Sequence, residues 1–435
     1  MKLTPKQQTA FDTIIECINS NTPVLLTGFA GTGKSTTIAT VIKSLSHKLI
    51  TIATPTHKAS AVLSAMLETN GIVSPNVKVT TIHKALGKRP QRQGGGTMTF
   101  SKPTKDIYGI LIIDECSMID AELFDDINNA ASFASIVYVG DPAQLPPASG
   151  NGALSPVFSS IAHRAHLSEV IRQGDGNPII ELSAALRRVM ESASHITVSD
   201  VIEMVNEYDK DNEKIGMIQK GDIAEYCTDA INNGLDCRYL AYRNDTIDKH
   251  MKEIRQQLHG RDVQGFVVGE PVTSLTSIQG VINNNHEGNI THIGEVTKLH
   301  GITCTPVTLD NELTVFAAID IKEKQNKEIG FFRLFEKLKA QAGLTTDFKA
   351  KADALEKSQE ASAKGYKIRD EIAELRPCVA STVHKAQGST FDVAIVDVAD
   401  ILTMRNRSEA LQCLYVAVTR PRSYLILVFT AAQAA

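Results

Sequence analysis

Three short stretches carry residue types that could handle a nucleoside triphosphate. Gly28-Phe29-Ala30-Gly31-Thr32-Gly33-Lys34-Ser35 follows the pattern GxxxxGK[ST]. Glycines at these places let backbone N–H groups wrap phosphate oxygens. The lysine reaches the β and γ phosphates, and the serine hydroxyl suits Mg²⁺. Asp114-Glu115 closes a later apolar run. One carboxylate suits the metal and the other suits a base that orients water at the γ phosphate. An adjacent Asp-Glu pair favours water as the acceptor, and therefore hydrolysis over transfer to a small molecule. Gly140-Asp141-Pro142-Ala143-Gln144 closes a third run, where the Gln144 amide could sense the γ phosphate.

These groups need a sheet edge to hold them. PVLLTG (23–28), YGILIIDE (108–115) and SIVYVGD (135–141) are continuous apolar runs that end in polar turns, as buried parallel strands do. A helical stretch from Ser35 to Ser46 follows the first of them, so the helix N-terminus adds partial positive charge at the phosphates. Alternating strands and helices predict a doubly wound α/β core, with ligands beyond the carboxyl ends of the strands. CRYLAYRN (237–244), FDVAIVDV (391–398) and YLILVF (424–429) predict a second α/β core, split in sequence. Between its halves, residues 262–320 are rich in Val, Thr and Ile with Gly and Asn turns, which predicts a small barrel or sheet. Residues 321–376 are rich in Lys, Glu and Ala and predict helices, an antiparallel pair being one arrangement. Residues 87–106 carry three consecutive glycines between basic flanks and read as either a β-hairpin or an irregular loop.

Taken in order, these and further motifs resemble the superfamily 1 helicases, above all the 1B branch of Dda-like and RecD-like enzymes. LTPKQQTAF (3–11) resembles the Q motif. GFAGTGKST, IIDECSM and VGDPAQLPP resemble motifs I, II and III. ATPTHKAS (53–60) and TTIHKALG (80–87) resemble motifs Ia and Ib. LSEVIRQ (167–173), AYRNDTIDK (241–249), ASTVHKAQGSTFD (380–392) and LYVAVTRPR (414–422) resemble IV, IVa, V and VI. The HKAQG and VTRPR stretches do not follow from a P-loop, and the resemblance runs along most of the chain.

The resemblance implies two RecA-like P-loop NTPase-type cores, 1A (1–165) and 2A (166–261 with 377–435). It also implies a pin-like 1B insertion at 87–106 and a 2B insertion at 262–376, SH3-like with charged helices. It implies that Gln7 reads adenine and that Gly31, Thr32, Gly33, Lys34, Ser35, Thr36 and Gly388 line the nucleotide. Ser35 and Asp114 would hold Mg²⁺, and Glu115, Gln144, Arg172 and Arg420 would act on the γ phosphate of ATP. Thr56, His57, Thr81, His83, Asn244, Thr382, His384 and Lys385 would face single-stranded DNA, with Phe100 pressing on the base pair to be opened. Hydroxyls, amides and a cation suit phosphate oxygens and carry little sequence information.

The bulk numbers restrict the alternatives. Net charge is −4 over 435 residues, so DNA binding must use a local groove rather than overall charge. Seven cysteines with no CxxC pair argue against zinc or a disulfide framework, and fit a reducing interior. The opening residues lack an apolar signal core, and no run reaches the ~18 apolar residues of a membrane span, which predicts a soluble cytoplasmic protein. The expected activity is ATP-dependent, 5′→3′ DNA unwinding in replication, recombination or repair, with single-stranded and forked DNA as partners beside replication or recombination proteins. Its rivals are a translocase that strips proteins from DNA and a nucleotide-dependent subunit of a larger assembly.

Overall fold

A computed structural model describes residues 3–92, 98–147, 152–169, 177–192, 196–209, 213–261 and 263–430. The described residues divide into two compact units. One takes in Met1–Arg89, Lys102–Leu258 and Val379–Ala435, and the other Pro90–Ser101 and His259–Cys378.

The first unit holds two parallel sheets. Six strands lie in the order Val77–Thr81, Ile50–Thr54, Tyr108–Ile113, Phe133–Gly140, Val24–Gly28 and His163–Leu167. Five lie in the order Ala380–Thr382, Cys237–Ala241, Phe391–Asp397, Pro421–Phe429 and Ile215–Gln219. The apolar runs predicted from sequence are all central strands, Ile50–Thr54 being a further central strand without such a reading, and Val24, Leu25, Leu26, Ile112, Val137, Ile395 and Leu427 are fully buried. Helices cover both faces of the first sheet, which therefore has a separate apolar cluster on each side. The helix after the P-loop is Lys34–Ser44, two residues shorter at its end than the sequence predicts.

Strand His163–Leu167 is parallel to Val24–Gly28. The first sheet therefore continues to Leu167, past the 165/166 boundary read from sequence. The strand has only Ala165 and Leu167 buried, between exposed His163, Arg164 and His166. An edge strand of this kind has no apolar run to announce it.

In the second unit, Pro90–Arg92 and Met98–Phe100 pair as an antiparallel hairpin, Pro90 opposite Phe100. Of the two readings of 87–106, β-hairpin or irregular loop, the strand pairing agrees with the first, while Gly94–Gly96 lie outside the described residues. A separate seven-stranded, mainly antiparallel sheet runs from Pro271–Ser274 to Leu375–Pro377. Helices Ile321–Leu344 and Phe348–Glu371, each begun by an aspartate cap, form the predicted pair and touch through Phe332 and Tyr366. No helix among the described residues is long and apolar enough to cross a membrane.

Candidate nucleotide and nucleic-acid site

The P-loop joins strand Val24–Gly28 to helix Lys34–Ser44. Gly31 and Gly33 have φ of 80° and 82°, a region that glycine enters without a Cβ clash. A Cβ on Gly28 would lie 2.6 Å from Thr32 Oγ1 and 2.9 Å from the Leu167 carbonyl oxygen, so only glycine fits. Lys34 Nζ donates to the carbonyls of Gly28 and Phe29 at 2.8 and 3.0 Å. Ser35 and Thr36 lie in the first turn of the helix, Ser35 exposed. Gln7 is buried at the start of the first helix. Its Oε1 accepts from Thr4 N–H at 3.0 Å and its Nε2 donates to the Thr32 carbonyl at 3.4 Å, which ties the N-terminal segment to the P-loop.

Asp114 and Glu115 follow strand Tyr108–Ile113, two strands away from the P-loop strand. Glu115 sits at φ 54°, ψ 45°, a left-handed conformation costing a non-glycine residue about 1–3 kcal/mol, of the kind that collects at functional sites. Asp114 Oδ1 accepts from the Glu115 N–H at 3.0 Å. Burial raises the Asp114 carboxyl above its usual range, against the pull of that N–H and of Lys34. Burial, then the Asp114 charge, pushes Glu115 up to about 7, with Lys34 and Arg420 acting in the opposite sense. Arg420, from the second sheet's side, is thus within electrostatic reach of Glu115. The guanidinium is buried and donates to the carbonyls of Val416 and Ser389 at 2.8 and 3.1 Å.

Gln144 is buried, and its Oε1 accepts from Gln387 Nε2 at 3.0 Å; Gln387 also reaches Ser117 Oγ at 3.4 Å. Motif III is therefore bonded to motif V. Gly388, at φ 77°, brings motif V close to motif Ia, since a Cβ there would meet Ala59 Cβ at 3.6 Å. Arg172 lies outside the described residues.

The candidate DNA residues share one local design. The triplet His-Lys-Ala occurs at 57–59, 83–85 and 384–386. Each begins or lies within a helix whose N-cap is a threonine after a parallel strand. Thr56 accepts from Ala59 N–H, Thr81 from Lys84 N–H, and Thr382 from Lys385 N–H. A hydroxyl that accepts from the backbone keeps its own proton to donate, and a phosphate oxygen is a fitting acceptor. Thr54 and Thr81 are register partners on adjacent strands, so the first two caps stand side by side. In the second sheet Ala241 and Thr382 are register partners, which sets exposed Asn244 near the third. The Lys58 ammonium lies 5.6 Å over the Phe391 ring, bringing the two sets together. Burial lowers the pKa of His57, His83 and His384, helped by Lys84 for His57 and by Lys88 for His83 and opposed by Glu409 for His384. Phe100 belongs to the other unit and is 44% exposed, enough for a face to meet a base.

Four residues of this region were not singled out from sequence: Asp141, Arg187, Gln387 and Tyr415. Three of them sit inside stretches that match motifs III, V and VI, which is the only sequence signal for them.

Family models match two parts of the chain, an AAA domain over residues 2–208 and a UvrD-like helicase C-terminal domain over 377–428. The ATP-dependent DNA helicase dda of Enterobacteria phage T4 is 26% identical, over 97% of this chain and 98% of its own. Both matched parts and the full-length likeness to dda make the chain similar to the superfamily 1B helicases. An uncharacterized protein, R530 of Acanthamoeba polyphaga mimivirus, is 25% identical over 95% of this chain and 97% of its own length. The solved structure of a Bacteroides Pif1 helicase with ADP-AlF3 and single-stranded DNA has a TM-score of 0.52 at 19% identity. It covers 100% of this chain and 94% of that one, and shows the shared fold with its RecA-like cores.

Proposed function

We propose that this protein is an ATP-dependent DNA helicase of the superfamily 1B type that tracks along single-stranded DNA 5′→3′ and opens the duplex ahead of it. The observation that carries the reading is the convergence, inside one compact unit, of P-loop, Asp114-Glu115 and Gln144 from the first sheet with Gln387 and Arg420 from the second. The same unit carries the three threonine-capped His-Lys-Ala turns. The names of the relatives agree: dda is an ATP-dependent DNA helicase, and the Bacteroides Pif1 was crystallised with ADP-AlF3 and single-stranded DNA.

In this reading the N–H groups of 31–36 and Lys34 hold the phosphates of ATP. Lys34 leaves the carbonyls of Gly28 and Phe29 to do so. Glu115, as carboxylate, orients the attacking water. Arg420 neutralises charge that builds on the transferring phosphoryl group, with Arg172 as a second candidate and Gln144 reporting that the phosphate is in place. Ser35 and Asp114 supply a hydroxyl and a carboxylate, a donor pair that would hold Mg²⁺. That ion would neutralise the β and γ phosphates. Loss of the γ phosphate removes the contacts that close the cores and lets them part. Thr56, His57, Thr81, His83, Asn244, Thr382, His384 and Lys385 hold the DNA backbone meanwhile. The organisation proposed with it is 1A, 1B pin, 2A and 2B, with 1A extended to Leu167.

The pin role has its own test. Stacking of one base on one aromatic ring is worth ~1–3 kcal/mol, so Phe100→Ala should slow duplex opening by about tenfold. Single-strand-stimulated ATP hydrolysis should change far less. Equal loss of both, or loss of neither, removes the pin role from Phe100 and favours a translocase.

A further inference from the structure

Asp141 is wholly buried just beyond strand Phe133–Gly140. A buried carboxylate needs partners to offset its lost hydration. One partner is local: the Ala143 N–H donates to Oδ1 at 3.0 Å. The other two come from helices of the second core's apolar cluster. Arg187 Nη1 donates to Oδ1 at 2.8 Å, and Tyr415 Oη donates to Oδ2 at 2.8 Å. Tyr415 Oη also accepts from the Ala30 N–H at 3.3 Å. The Arg187 guanidinium stacks over the Phe29 ring, 4.0 Å from its centroid. Phe29 and Ala30 are the two residues that follow the first P-loop glycine. Each is therefore held by a group of the second core, and Asp141 ties those two groups together. Burial and the Asp141 charge keep the Tyr415 phenol protonated, so the hydroxyl serves both bonds.

We propose that Tyr415, braced by Asp141 and Arg187, is a positioning residue that locks the P-loop backbone to the second core and so transmits nucleotide state to the DNA-binding face. This rests on the helicase reading above. Phosphates entering the loop must reset Phe29 and Ala30, because Lys34 also holds the Gly28 and Phe29 carbonyls. Any shift there pulls on two helices of the second core. One of them, Arg407–Val418, packs on the short helix Val383–Ala386 that carries His384 and Lys385. Coupling of this kind is reciprocal: nucleotide changes DNA affinity by the same factor that DNA changes nucleotide affinity.

The test is the affinity of the full chain for a labelled oligothymidylate with ADP and with adenylyl imidodiphosphate. In the wild type the two affinities should differ. Tyr415→Phe keeps the ring and removes the hydroxyl, and should shrink their ratio by about tenfold, within the usual range of coupling factors. Arg187→Lys keeps the charge at Asp141 and removes the flat stacking surface over Phe29, and should shrink the ratio less. It also carries the test if Tyr415→Phe does not fold. A ratio unchanged in folded variants, even with a lowered melting temperature, leaves Tyr415 a packing residue and overturns the proposal alone. A wild type whose DNA affinity ignores nucleotide overturns the proposal and the motor reading together.

Discussion

Lys34→Ala should abolish ATP hydrolysis and leave the fold intact. In the structure the ammonium bonds to the carbonyls of Gly28 and Phe29 and belongs to none of the apolar clusters. Alanine is a strong helix former at the start of helix Lys34–Ser44. Those two bonds join part-buried atoms, so the expected loss of stability is about 1–2 kcal/mol, too little to unfold the chain. The expected loss of turnover is of order 10²–10³ or more, as for removal of a donor aimed at developing charge. Steady-state hydrolysis with saturating single-stranded DNA, beside a thermal melt, measures both. A folded and fully active variant would take Lys34, and with it the P-loop, out of the site.

Arg420→Ala should retain ATP binding and lower turnover by about 10³-fold, the lower end for an arginine finger. Here the structural cost is not negligible. The guanidinium is buried, and its removal deprives the carbonyls of Val416 and Ser389 of a donor, worth about 1–3 kcal/mol if they stay unsatisfied. Nucleotide affinity by a fluorescent analogue and turnover are therefore read well below the melting temperature. Arg420→Lys separates charge from shape. It keeps the positive charge that Glu115 senses and loses the planar fork, so it should recover only part of the activity. Unchanged turnover in Arg420→Ala removes this residue from the chemistry.

The parts of the fold visible in sequence are those where burial is two-sided. Strands Val24–Gly28, Tyr108–Ile113 and Phe391–Asp397 lie inside parallel sheets and show as unbroken apolar runs. Val77–Thr81, His163–Leu167 and Ile215–Gln219 stand at sheet edges, are buried at only two positions each, and lack the unbroken apolar run of the central strands. The Lys, Glu and Ala content of 321–376 marked helices because helix propensity is a local signal, whereas the burial of Lys324 and Glu328 against Glu374 is a tertiary matter that composition does not record.

The site divides in the same way. Gly31, Gly33 and Lys34 are legible because the loop's shape is a local matter of φ angles and one cation. The bond from Tyr415 to Asp141 spans 274 positions, and that from Gln387 to Gln144 spans 243. Pairings at such separations depend on how two cores meet, which no spacing within either motif records. Sequence also hid the local purpose of Thr56, Thr81 and Thr382. Their repeated placement beside His-Lys-Ala becomes meaningful only once each hydroxyl is seen capping a helix.

The most direct measurement compares three matched DNA duplexes, bearing a 5′ single-stranded tail, a 3′ tail or blunt ends, with ATP and Mg²⁺ and with Glu115→Gln as the control. The account predicts opening of the 5′-tailed duplex alone, and none by Glu115→Gln. Opening of the 3′-tailed duplex would contradict the direction of travel, and failure to open any of the three would contradict the helicase assignment itself.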